Sequence, residues 1–161
     1  MKKKVFIPGV PTHNYQKGFN GNLLFYCLLD RLVYLTVFCT EVLRNQVTVL
    51  SLDLMFTHTH SLLRTASREV LSRFNQTVEM KYAQEFNRAS GHKGAVFMKT
   101  YGWAQKKNNA KVRTCLAYMP TIRSRRNSAD VPSIADGISW RIPAATILFQ
   151  SRSSSGGRPP R

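Results

Sequence analysis

Two runs rich in aliphatic and β-branched residues, 46–57 and 58–65, stand back to back with room for only a short turn or bend between them. The first carries Val47, Val49, Leu50, Leu52, Leu54 and Phe56, and the second runs from His58 to Thr65. Adjacent runs of this kind predict neighbouring strands. A long helical pattern flanks them on each side. Leu23 to Arg44 is aromatic and apolar over most of its length and predicts a core helix. After the strands, Ser67 is a candidate N-cap with Glu69 in the first turn. The helix it opens places Val70, Phe74, Val78, Tyr82 and Phe86 at steps of four, with Leu71 beside them, and stops by Gly91.

The remaining elements are shorter. His13 to Phe19 predicts a first strand, ended by Gly18 and Gly21. Gly94 to Trp103 predicts a loop and short strand, with Lys93 and Lys99 in this region. Asn108 or Asn109 caps a last helix that carries Val112, Cys115 and Leu116 on one face. The order strand, helix, strand, strand, helix predicts an antiparallel sheet with helices packed on one side of it, an α+β domain.

Charge narrows the partners. The chain has 161 residues, with 24 Lys and Arg against 8 acids and a formal charge of +16. A domain this basic seeks a polyanion, nucleic acid first and an anionic membrane surface second. A hydrophobic fraction of 43% argues against wholesale disorder. The composition shifts near residue 119. Residues 119–161 hold 7 Arg, no Lys and five of the seven prolines, and close on a Ser/Gly/Pro run, so this tail is expected to be largely disordered. The basic start is not expected to be a signal peptide, because Pro8, Gly9 and Pro11 interrupt any apolar run. Asp30 and Arg31 sit inside the most apolar stretch, so no membrane span is expected. Cys27, Cys39 and Cys115 form no CxxC pair and are read as reduced core thiols of a cytoplasmic protein.

Two features carry possible chemistry. His58 and His60 form His-Thr-His in a predicted strand, and positions i and i+2 share one face. Two imidazoles side by side suit a divalent metal; they can equally be a chance pair at a strand end. Tyr118 closes the last helix pattern, on a segment carrying Lys106, Lys107, Lys111 and Arg113. It can be a nucleophile or a packed core aromatic, and the basic cluster can be a solvated face.

Several segments, in order, resemble the HUH-type single-tyrosine transposases of bacterial insertion sequences (the insertion sequence 200/605-like group), above all their small stand-alone, REP-associated branch. They are Pro11-Thr12-His13-Asn14-Tyr15-Gln16-Lys17, Leu54-Met55-Phe56-Thr57-His58-Thr59-His60-Ser61-Leu62-Leu63 and Tyr82-Ala83-Gln84-Glu85-Phe86-Asn87. Gly91-His92-Lys93-Gly94-Ala95-Val96-Phe97 and Val112-Arg113-Thr114-Cys115-Leu116-Ala117-Tyr118 continue the series, and the likeness spans roughly residues 6–118.

The resemblance implies a ferredoxin-like (RRM-like) antiparallel sheet, usually dimeric, in a catalytic domain over residues 1–118. It implies that His58 and His60 bind Mg²⁺ or Mn²⁺, and that Tyr118 attacks a phosphate of single-stranded DNA with hairpin ends, giving a 5′-phosphotyrosine. Lys93, Lys99, Lys106, Lys107, Lys111 and Arg113 would then meet DNA phosphates.

The chain departs from the family at Thr12, Thr57 and Thr59, and most of all after Tyr118. The family continues Tyr-Ile-x-Asn-Asn-Pro-Val, with a third metal ligand, Gln or Asn, four residues past the tyrosine. Here that residue is Ile122, and Pro120 is expected to disturb the helix. One base added after the Tyr118 codon, with wobble bases chosen freely, turns the residues to Asp130 into Tyr-Ile-Ala-Asn-Asn-Pro-Val-Glu-Lys-Lys-Leu-Cys-Arg. The expectation is an out-of-frame tail over 119–161 and a transposase by descent whose activity is in question; the gene's nucleotides decide it. The rival expectation is a basic, non-catalytic RNA-binding or ribosome-associated protein, with Tyr15, Tyr101 and Trp103 as stacking residues.

Overall fold

A computed structural model describes residues 5–98, 101–126 and 139–141, and from Tyr118 onward it describes backbone alone. The strands are β1 (Thr12–Lys17), β2 (Thr48–Met55), β3 (His58–Arg64), β4 (Gly102–Gln105) and β5 (Ser139–Arg141). The helices are α1 (Leu28–Asn45), α2 (Arg68–Ser90) and α3 (Asn109–Arg126), with a short 3₁₀ turn at Phe19–Gly21. The sheet order is β4-β1-β3-β2-β5, with antiparallel neighbours throughout. The first six elements therefore run β-α-β-β-α-β, the ferredoxin-like arrangement, with α3 and β5 added after it.

α2 follows its sequence signals closely. The Ser67 hydroxyl accepts from the Val70 amide at 3.3 Å, and Gly91 ends the helix at φ +66°, where glycine bears no Cβ penalty. Leu71, Phe74, Val78 and Tyr82 form its buried stripe. They meet Tyr34 and Phe38 of α1 and Leu52, Leu54 and Leu63 of the sheet in one apolar core. Glu41 of α1 is buried yet paired, with Lys81 of α2 at 2.6 Å.

α1 begins five residues later than the sequence pattern predicts. Leu24 and Phe25 are fully buried, and both amides donate to the Phe56 carbonyl, at 2.6 and 3.3 Å. The Tyr82 hydroxyl donates to the Leu24 carbonyl. These tertiary bonds hold the segment out of the helix, and Asp30 then caps the helix by accepting from the Tyr26 and Cys27 amides at 2.8 and 3.1 Å. The late start turns Cys27 to the surface. Cys39 is also exposed, so only Cys115 is a core thiol and the reading of all three as core is corrected. α1 is likewise not a wholly buried helix, because Leu28, Leu29, Leu32 and Leu43 lie exposed on its outer side.

α3 packs on the sheet face opposite α1 and α2, so the expectation of helices on one side alone is corrected: Leu62 and Leu50 turn away from the main core and give the other face an apolar patch of its own. Its Val112, Cys115 and Leu116 gather around Leu62 and Leu50. Leu50 reaches them through a register irregularity in β2 between Val49 and Ser51, where an extra residue changes which face the strand presents. Asn108, not Asn109, caps α3, its Oδ1 accepting from the Lys111 amide at 2.8 Å. The helix continues past Pro120 to Arg126. Proline removes one backbone donor there without ending the helix. The expected disorder of 119–161 falls largely outside the described residues. Among those residues, no helix is long and apolar enough to cross a membrane.

One glycine is forced by space. A Cβ on Gly18 would overlap the Asn22 carbonyl oxygen and press on that of Thr57, both backbone atoms with little freedom to yield. The Gly18 amide also donates to the Thr57 carbonyl at 2.8 Å, which fixes the end of β1 against the start of β3. Gly18→Ala is expected to cost about 1–3 kcal/mol by overpacking; thermal unfolding beside the parent checks it.

Candidate nucleic-acid and metal face

β1 alternates without exception. Thr12, Asn14 and Gln16 are buried towards α1 and α2, while His13, Tyr15 and Lys17 turn to the other face. On β3, Thr59 and Ser61 share the helix side and His58 and His60 share the open side. Pairing of β1 with β3 sets Lys17 opposite His58 and Tyr15 opposite His60. From β2, Asp53 stands opposite His60 and is buried.

The two sequence-predicted imidazoles are neighbours. The His58 and His60 ring centres are 4.9 Å apart with planes at 90°. The structure adds a third ring that sequence reasoning gave no role. His13 Nε2 lies 3.1 Å from His60 Nδ1, with ring centres 5.1 Å apart and planes within 9°. His58 Nδ1 is 3.0 Å from the Thr57 hydroxyl. Each of the pair is thus held through Nδ1.

Burial keeps His60 and His13 neutral. His60 is pushed down to about 3, first by desolvation and then by the neighbouring His13, His58 and Lys17 charges. His13 is lowered by burial and by Lys106. Neutral imidazole is the form that offers a lone pair to a metal. Two rings on one face, each oriented through a hydrogen bond at Nδ1, fit two ligand positions of a divalent ion. Among the described residues, no group of three His, Cys, Asp or Glu could hold a metal.

Tyr15 is 41% exposed, and its ring lies where a Cβ of Gly102 would be. It stands 6.3 Å from His13 and 6.4 Å from His60, ring centre to ring centre. Trp103 and Tyr101 are not presented in this way. Trp103 packs edge-on against Phe6, with the Arg68 guanidinium over its ring, and Tyr101 lies against the core.

Of the basic candidates, Lys106 lies close enough to act on both His13 and Cys115. Lys107, Lys111 and Arg113 are exposed just before and on α3, and Lys93 is exposed after α2. Lys99 lies outside the described residues. Tyr118 belongs to α3, three positions beyond Cys115, which packs on Leu62; its side chain, like that of Ile122, lies outside the described residues. Sequence reasoning missed His13, Tyr15, Lys17 and Asp53 as members of this face, Tyr15 having entered only as a stacking residue of the RNA-binding alternative. Strand alternation alone groups the first three; only the β1–β3 and β2–β3 pairings bring them to the histidine pair.

No protein-family model matches the sequence, and no curated protein matches it. Solved structures do. A REP-associated tyrosine transposase bound to a REP hairpin superposes with a TM-score of 0.66 at 9% identity, over 80% of this chain and 75% of that one. A protein described as a transposase, from Deinococcus radiodurans R1, gives a TM-score of 0.50 at 14% identity, over 75% of this chain and 96% of that one. At these identities the likeness establishes the fold, and the fold is that of the tyrosine transposases.

Proposed function

We propose that this chain is a transposase-like protein whose chemistry is the cutting and rejoining of single-stranded DNA. The observation that carries the reading is the pair of imidazoles, His58 and His60, side by side on the sheet face that α3 crosses, with His60 kept neutral by burial. Phosphodiester cleavage needs a nucleophile and a means of offsetting charge on phosphorus. Tyr118 in α3 is the nucleophile of this proposal. Its phenolate oxygen bonds to phosphorus as the bond to the 3′ oxygen breaks, giving a 5′-phosphotyrosine and a free 3′-hydroxyl. A later 3′-hydroxyl reverses the step, so the phosphodiester is conserved and no nucleotide is consumed. His58 and His60 would hold Mg²⁺ or Mn²⁺ through Nε2, and the ion would supply Lewis acidity to the phosphate. Lys17 and Lys106 flank the face and favour a polyanion there.

That a solved structure with this fold was captured with a REP hairpin supports hairpin-ended DNA as the substrate class. The non-catalytic RNA-binding alternative rests on charge, and two of its three proposed stacking residues are packed into the domain.

The test uses the full chain, labelled single-stranded hairpin DNA and Mn²⁺. The expected results are a covalent adduct abolished by Tyr118→Phe, and Mn²⁺ affinity lowered at least about tenfold by His58→Ala. Metal binding through both histidines without an adduct would place the defect after Tyr118, where Ile122 replaces a ligand. DNA binding that collapses with salt yet ignores metal and both histidines would overturn the reading.

A further inference from the structure

We propose that His13 is a positioning residue: its Nε2 accepts the Nδ1–H of His60 and locks His60 in the tautomer that presents a bare Nε2 to the open face. The inference rests on the metal reading of His58 and His60 for its consequence, but its geometry stands alone.

A neutral imidazole carries one proton on two nitrogens. If His60 Nδ1 accepts, the proton sits on Nε2 and that nitrogen cannot ligate. If Nδ1 donates, Nε2 is free. The 3.1 Å contact between His13 Nε2 and His60 Nδ1 therefore decides what His60 can do. The two ring planes are within 9° of parallel, with centres 5.1 Å apart. His58 is held in the same manner, with Nδ1 against the Thr57 hydroxyl, an oxygen that can accept. Both rings of the pair are thus oriented through Nδ1 by a group that can take a proton, the pattern that ligating histidines require of their surroundings. His13 itself is fixed by β1, whose pairing with β3 sets it opposite Leu62, one alternate position along from His60.

The role differs from packing. A residue needed only for shape would be replaced by phenylalanine at little consequence, whereas an acceptor would be replaced in part by glutamine. The test measures two things in the full chain, its His13→Phe variant and its His13→Gln variant, with circular dichroism confirming the fold of each. The first is the tautomer of His60, read from ¹⁵N shifts of the imidazole nitrogens without metal. The second is affinity for Mn²⁺ alone, by titration calorimetry.

The expected parent tautomer of His60 is Nδ1–H. His13→Phe is expected to shift it towards Nε2–H and to weaken Mn²⁺ binding about tenfold or more, with His13→Gln restoring most of both. A parent His60 already protonated on Nε2 overturns the proposal. So does unchanged Mn²⁺ affinity in His13→Phe when His58→Ala abolishes binding; that result leaves the metal reading standing. If the parent binds no Mn²⁺, the metal reading falls and the ¹⁵N shifts still decide the part played by His13.

Discussion

Phe74→Ala is expected to lower the unfolding free energy by about 3–5 kcal/mol, the range for removing a buried aromatic side chain from a packed core. Phe74 is 1% exposed and meets Phe38 of α1 edge-on, with ring centres 5.2 Å apart. It lies mid-stripe on α2, between Leu71 and Val78, where both helices and the sheet converge. Domains of this size are stable by roughly 5–15 kcal/mol, so the loss takes a large share of that margin. Urea denaturation beside the parent measures the loss, and a loss under about 1 kcal/mol would contradict the packing of α2 on α1. The consequence reaches the open face. β1 and β3 present His13, His58 and His60 on one side, and on the other are backed by the layer that contains Phe74.

α2 and the β2–β3 pair were legible in the sequence because their signals are local. Ser67, the four-residue steps and Gly91 each act within a turn or two of the backbone. The His58 and His60 pairing was legible for the same reason, since alternation needs only two residues of strand. The start of α1 was not legible. Nothing between Leu23 and Cys27 forbids helix locally; the Phe56 carbonyl and the Tyr82 hydroxyl, both distant in sequence, hold that segment out of the helix. The exposure of Cys27 follows from the same displacement.

His13 shows the limit most clearly. Its own strand was visible, yet its neighbour across the sheet depends on which strands pair and in what register. That outcome is set by closing the chain through α1, β2 and the turn after it, and no local pattern encodes it. Asp53 was hidden for a related reason. It falls within a run that reads as continuous aliphatic strand, and the irregularity at Val49/Ser51 changes which residues turn to the open face.

The region beneath the histidine pair gives the second large expected effect. On the helix side of β1 and β3 lies a cavity of about 10 Å³, lined by Asn14, Gln16, Thr59, Tyr34 and Glu79 among others. That is room for about one water. Asn14 Oδ1 and Nδ2, Gln16 Oε1 and Glu79 Oε1 are buried there without a protein hydrogen-bond partner. Burial pushes the Glu79 carboxyl up to about 7. The sign follows from proton counting. Below about 4.5 both folded and unfolded chains hold the proton, and Glu79 carries no penalty. Between about 4.5 and 7 the unfolded chain releases it while the folded chain retains it, so stability falls as pH rises. Above 7 the folded chain ionises too and the loss levels off. Across that window the decline attributable to Glu79 is on the order of 3 kcal/mol. Glu79→Gln keeps the shape and an oxygen for the cavity but removes the proton. It should flatten this part of the profile and leave the variant more stable than the parent at pH 8. Urea midpoints from pH 4 to pH 8 for both proteins measure the difference. Parallel profiles would mean that the carboxylate is solvated after all, and that β3, which carries His58 and His60, rests on no buried acid.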